Sequence, residues 1–124
     1  MGGNHTTTIR VLVGDEDLDV HELVDDILHI NFKNVAIDRA MDRNGIRAKI
    51  RSMQMPYDLI LLGDDGMKGF IEIVNEESPD LVKKTVMICP QGSNNTEKWT
   101  DIPRIVKPFS LDDFGEVLEK ICDA

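Results

Sequence analysis

The sequence predicts an α/β fold built on a doubly wound parallel sheet, and three observations carry that expectation. Short runs rich in β-branched residues alternate with stretches of three-and-four apolar spacing, the order of a sheet covered by helices on both faces. Residues 59–62 (LILL) are apolar without a break and stop at Gly63, as a strand buried on both faces does. Two acidic segments, Gly14-Asp15-Glu16-Asp17 and Gly63-Asp64-Asp65, directly follow strand runs. That places them at the carboxyl ends of strands, where ligands of such folds sit.

Residues 9–13 (IRVLV) read as the first strand, ending at Gly14. Asp17 suits the N-cap of the helix that follows, and Asp19 and Glu22 suit its first turns. Val20, Leu23, Val24, Ile27 and Ile30 form one face of it by spacing. Val35–Ala40 is a short second strand. Residues 44–52 form a weaker helix with Ile46 and Ile50 four apart, and Pro56 prevents its continuation. Residues 59–62 are the third strand. Met67, Phe70, Ile71 and Val74 make the face of a third helix, which Ser78-Pro79 closes. Residues 86–89 (VMIC) are a fourth strand and Arg104–Val106 a short fifth. Leu111, Phe114, Val117, Leu118 and Ile121 mark a final amphipathic helix that starts near Ser110 or Asp112. The stretch PQGSNNTEKWTDIP between Cys89 and Arg104 is polar and has no helical period, so the fourth helix is expected to be shortened or missing. Five β–α units in 124 residues give a flavodoxin-like sheet of five parallel strands, order 2-1-3-4-5. The expectation is a single domain over residues 9–122 after a disordered start at 1–8.

Composition narrows the function. A domain of this size buries roughly two thirds of its unfolded surface and needs no metal or disulfide staple. The net charge is −9 and no Lys/Arg cluster is present, which argues against nucleic-acid binding through this domain. No apolar run approaches the roughly 20 residues of a membrane span, and the first ten residues lack the pattern of a secretory signal. Met1-Gly2 followed by Thr6 is only a weak remainder of an acylation motif and reads as an unstructured start. Cys89 and Cys122 have no metal-ligand spacing and read as reduced thiols of a cytoplasmic protein.

Isolated residues get plain readings. His21, Glu22 and Asp25 superficially match a zinc-protease helix, but an aspartate stands where the second histidine is required. His21 and Asp25, one turn apart on the expected polar face, read as a surface ion pair. His29 is expected at the surface or its boundary, and His5 in the disordered start. Met53 and Met55 read as core edge before the third strand. Trp99 is either an exposed anchor for a partner or packed where the fourth helix is eroded.

The chemistry lies at one edge of the sheet. Asp15 and Glu16 follow the first strand, Asp64 and Asp65 the third, and Lys107-Pro108 the fifth. Carboxylates so placed can hold Mg²⁺ through oxygen ligands, and the lysine can pair with a carboxylate or a phosphoryl oxygen. The acidic loop after the first strand repels phosphate, and no Gly-rich or Ser/Thr-rich loop follows any strand. A flavodoxin-like ligand binder therefore lacks support.

These segments resemble the receiver domain of two-component response regulators, the CheY-like fold, over nearly the whole chain. RVLVGDED resembles the family's first strand with its acidic pair, which implies that Asp15 and Glu16 are the metal-site acids. PYDLILLG resembles the third strand, MKGFIEIV the start of the third helix, and ESPDLVKKTVMIC the passage to the fourth strand. IVKPFSLDDFGEVLEKI resembles the fifth strand, the Lys-Pro-Phe turn and the last helix. The resemblance implies a cis bond between Lys107 and Pro108 and a lysine that reaches the acidic site. It also implies dimerisation and output through the face formed by region 92–104 and the last helix, 111–121.

The departures decide the expected function. Counted from Asp58, the phosphoacceptor slot falls on Gly63, which cannot form an acyl phosphate. The loop from there to Gly69 is about two residues shorter than in the family and lacks its Met-Pro pair. The hydroxyl position at the end of the fourth strand is Pro90, next to Cys89, and the aromatic switch position is Arg104. The expectation is a degenerate receiver that is not an enzyme. It acts as a protein-interaction module with a signalling partner, or as a homodimer, through region 92–104 and the last helix, with Trp99 and Arg104 in the surface. It needs no cofactor, binds Mg²⁺ weakly or not at all, and Lys107 then neutralises Asp15 and its neighbours. The alternative is a phosphorylatable receiver in a phosphorelay, with Asp64 or Asp65 as acceptor. Alternation along a strand points Asp64 away from the direction of position 63, unless a turn at the glycine redirects the chain.

Overall fold

The computed structural model describes residues 8–63, 69–89, 102 and 104–106. Strand β1 (Ile9–Gly14), helix α1 (Leu18–Asn31), β2 (Val35–Ala40), α2 (Arg43–Ser52), β3 (Leu59–Gly63), α3 (Phe70–Glu77), a 3₁₀ turn (Pro79–Lys84), β4 (Thr85–Cys89) and β5 (Arg104–Val106) follow in order. The fold is α/β with a parallel sheet. Strands β2, β1, β3 and β4 lie side by side in that order, and the three residues of β5 pair onto β4. In register, Gly14 stands level with Ala40 and Leu62, and Gly63 with Ile88. The strand tips after β1 and β3 therefore meet at one edge.

Alternation along the strands builds two cores. Val11 and Val13 of β1, Leu59 and Leu61 of β3, Val86 and Ile88 of β4 and Ile105 of β5 share one layer with Val20, Val24, Ile27 and Leu28 of α1. Leu12, Ile60, Leu62 and Met87 point the other way, into a layer with Ile46 and Ile50 of α2, the apolar side chains of α3, and Tyr57. All four residues of the LILL run are fully buried, which is why they carry no alternation in sequence.

Local signals place the helices. The Asp17 side chain accepts from Asp19 N and caps α1. The Asp42 side chain accepts from Gly45 N and caps α2, so that helix begins at Arg43, one residue earlier than its apolar spacing suggests. Gly69 precedes α3 with φ of 64°, a left-handed conformation that favours glycine. Across the surface, Arg51 donates to both carboxylate oxygens of Glu77, at 2.8 and 3.0 Å, and ties α2 to α3.

The apolar face of α1 differs from the expected one. Leu23 is 46% and Ile30 68% exposed, while Leu28 is fully buried. The buried stripe runs through Val20, His21, Val24, Ile27 and Leu28, which turns Leu23 and Ile30 to its solvent-side border. His21 is therefore not on a polar face. Met55 is exposed rather than core edge, whereas Met53 packs against the core. The expected shortening of the fourth helix and the expected last helix fall on residues outside the described ones. No helix among the described residues is long and apolar enough to cross a membrane.

Two expectations follow from this packing. Leu28→Ala should cost about 2–5 kcal/mol of stability and Ile30→Ala within about 0.5 kcal/mol, measured by urea denaturation. Tyr57, the chain's one tyrosine, is buried and donates to Asp38 Oδ2 at 2.7 Å. Burial first, then that bond, hold its phenol well above the ordinary 10.0. The stabilisation from the protonated phenol is complete below the ordinary value and is lost as pH rises towards the folded one. At pH 10.0 the folded chain should show no tyrosinate absorbance, which should appear when denaturant unfolds it.

Candidate functional site

The site is the edge where β1 and β3 end. Because Gly14 is level with Leu62, the next residue, Asp15, stands beside Gly63. Because side chains alternate, Asp15 falls on the α1 side of the sheet, the side to which Leu59, Leu61 and position 63 also point.

Asp15 is held at nearly every polar atom. Its N–H donates to Ala40 O at 3.1 Å. Its carboxylate Oδ1 accepts from Asp17 N at 2.9 Å. Its carbonyl accepts from His21 Nε2 at 2.7 Å. A carbonyl only accepts, so His21 carries its proton on Nε2. Asp15 is 7% and His21 1% exposed, and neither Asp15 Oδ2 nor His21 Nδ1 has a hydrogen-bond partner among the described residues. The expected surface ion pair of His21 with Asp25 is replaced by this buried bond. Asp25 instead meets Arg39 at 3.3 Å, and its carbonyl and carboxylate are approached by His29, which is exposed. Helical spacing contained the signal, since His21, Val24 and Leu28 recur at three and four; polarity alone concealed it.

The side-chain direction of Gly63 is filled. A Cβ added there would lie 2.6 Å from Asp15 Cγ and closer still to Oδ2. The Asp15 carboxylate therefore rests against the bare face of the glycine.

The other sequence candidates are placed as follows. Glu16 is exposed, one step beyond Asp15. Arg104 opens β5 and stands in register with Met87. Asp64, Asp65, Pro90, Trp99, Lys107 and Pro108 lie outside the described residues. Among the described residues no three His, Cys, Asp or Glu side chains gather to hold a metal ion. One carboxylate oxygen, Asp15 Oδ2, has no hydrogen-bond partner among the described residues.

No protein-family model matches the chain, and no curated protein matches it significantly. Solved structures do match. The receiver domain of NtrX from Brucella abortus is 25% identical over 92% of this chain and 98% of that one, with a TM-score of 0.72. In a longer structure of the same protein the match spans 26% of that chain. A response regulator receiver domain protein from Clostridium thermocellum is 14% identical over 93% and 94%, TM-score 0.70. A CheY-like receiver domain protein from Methanospirillum hungatei is 18% identical over 94% and 95%, TM-score 0.69. The chain has the CheY-like fold of response-regulator receiver domains.

His21→Ala should lower stability by about 1–3 kcal/mol, because the buried Asp15 carbonyl loses its donor. Urea denaturation measures this, and the loss should exceed that of His29→Ala, whose side chain is exposed.

Proposed function

We propose that this chain is a receiver-type signalling module that recognises a protein partner without aspartyl phosphorylation. One observation carries the reading: the residue at the tip of β3 is glycine, and the space its side chain would take is filled by the Asp15 carboxylate. No acyl phosphate can form on a residue without a carboxylate. The sequence at Pro90 and Arg104 supports the reading, since neither supplies the hydroxyl or the aromatic ring of the receiver pattern. In this reading the chain catalyses no phosphoryl transfer and takes no cofactor, and Lys107 neutralises the acidic edge. The partner, or a second copy of the chain, binds the face of region 92–104 and residues 111–121, with Trp99 as anchor.

Incubation with acetyl phosphate and Mg²⁺ should leave the intact mass unchanged. An adduct of one phosphoryl group, abolished by Asp64→Asn or Asp65→Asn, would establish the phosphorelay alternative instead. Trp99→Ala should weaken partner capture in a pull-down at least tenfold, in line with a buried aromatic anchor worth about 2 kcal/mol.

A further inference from the structure

We propose that the cleft between α2 and α3 binds a small zwitterion, a molecule of amino-acid class that carries one carboxylate and one ammonium group. The site uses neither Asp15 nor Gly63, so it stands apart from the question of phosphoryl transfer.

The cleft measures about 460 Å³, within the range of small-molecule sites. Its walls carry both charges, Arg43 and Arg47 from α2 and Glu72 and Glu76 from α3. Arg43, Arg47 and Arg51 recur at every fourth residue of α2 and so lie along one face. The last two are spent within the fold. Arg51 donates to both oxygens of Glu77 at 2.8 and 3.0 Å, and Arg47 meets Glu77 at 3.3 Å and Glu76 at 3.6 Å. These pairs hold α2 against α3. The Arg43 side chain, one turn nearer the start of α2, is exposed and has no hydrogen bond or ion pair among the described residues. Its guanidinium stands by the bare face of Gly69, where an added Cβ would lie 3.3 Å from Arg43 Nη2 and 3.2 Å from Glu72 Oε1.

A guanidinium with open donors takes a carboxylate bidentately, and the Asn44 amide in the same wall adds a further donor. Glu76 is 66% exposed, and its pair with Arg47 is longer than a hydrogen bond, which leaves it able to accept from an ammonium. Net charge decides among ligands. The chain carries −9, which disfavours a simple anion, and a simple cation meets two arginines in the cleft. A zwitterion satisfies both walls and brings no net charge. Arg43 lies about 6 Å along α2 from Arg47, the partner of Glu76, so the two groups of the ligand stand a few bonds apart. Ile73, buried between Gly69 and Glu76 along α3, lines the cleft and suits a short methylene stem. A ligand so held bridges the first turn of α2 to α3 and gives the domain a small-molecule input.

Titration of the full chain with γ-aminobutyrate, followed by amide NMR, tests this. Saturable shifts should appear at Arg43, Asn44, Gly69 and Ile73. Arg43→Gln should raise Kd at least about tenfold, the loss expected of a charge-assisted hydrogen bond, and leave the urea midpoint unchanged. Glu76→Gln should weaken binding as well. Acetate and methylammonium, which each carry one of the two charges, should bind at least about tenfold more weakly than γ-aminobutyrate. Absence of saturable shifts, an affinity indifferent to Arg43→Gln or to Glu76→Gln, or acetate binding as tightly as γ-aminobutyrate would overturn the proposal. A midpoint lowered by Arg43→Gln would give that side chain a role in the fold instead and overturn it too.

Discussion

The structure depends on β3 being buried from both sides. Four consecutive aliphatic side chains must be covered above and below, which requires helices on each face of the sheet and strands on each flank. Pairing with β1 and β4 then fixes the register, and the register fixes which residues meet at the tips. Once Gly14 is level with Leu62, Asp15 has one place to go, beside residue 63 and on the same face. The site is thus a consequence of the core, set by the two-residue period of neighbouring strands.

Asp15 shows how a buried acid is accommodated. Its backbone continues the β1–β2 ladder through Ala40, its carbonyl takes the donor of a buried histidine, and one carboxylate oxygen takes the amide of the helix cap residue. The remaining oxygen has no hydrogen-bond partner among the described residues. The other bonds tie the strand end to the first turn of α1. Asp17 serves twice, as amide donor to Asp15 and as cap of the helix. The loop is thereby one hydrogen-bonded unit.

Much of this was legible in the sequence, for identifiable reasons. Strand runs are apolar where both faces are covered, and caps are short polar residues before apolar periods, so β2 and the start of α1 fall where propensity puts them. The helix face was legible only in part. Leu23 and Ile30 fit a helical period as well as Leu28 does, and the direction of the buried stripe is set by where α1 lies on the sheet, which spacing does not encode. His21 was concealed because its bonding partner is a main-chain carbonyl, and a carbonyl leaves no mark in sequence. The glycine at the tip of β3 was legible by counting along the third strand. What fills its place was not, because it depends on a rotamer of Asp15 and on the clamp around it.

An open slot and a filled one are different physical states. A glycine that merely lacked its side chain would leave space open to water, a cation or the carboxylate of a neighbouring turn, and the crevice would still be addressable by chemistry from outside. Here the space belongs to a carboxylate whose backbone and one oxygen are fixed by Ala40, His21 and Asp17. A small ligand that takes this space displaces the Asp15 carboxylate. The difference between the two states is one contact, that of the Asp15 carboxylate with the bare face of Gly63.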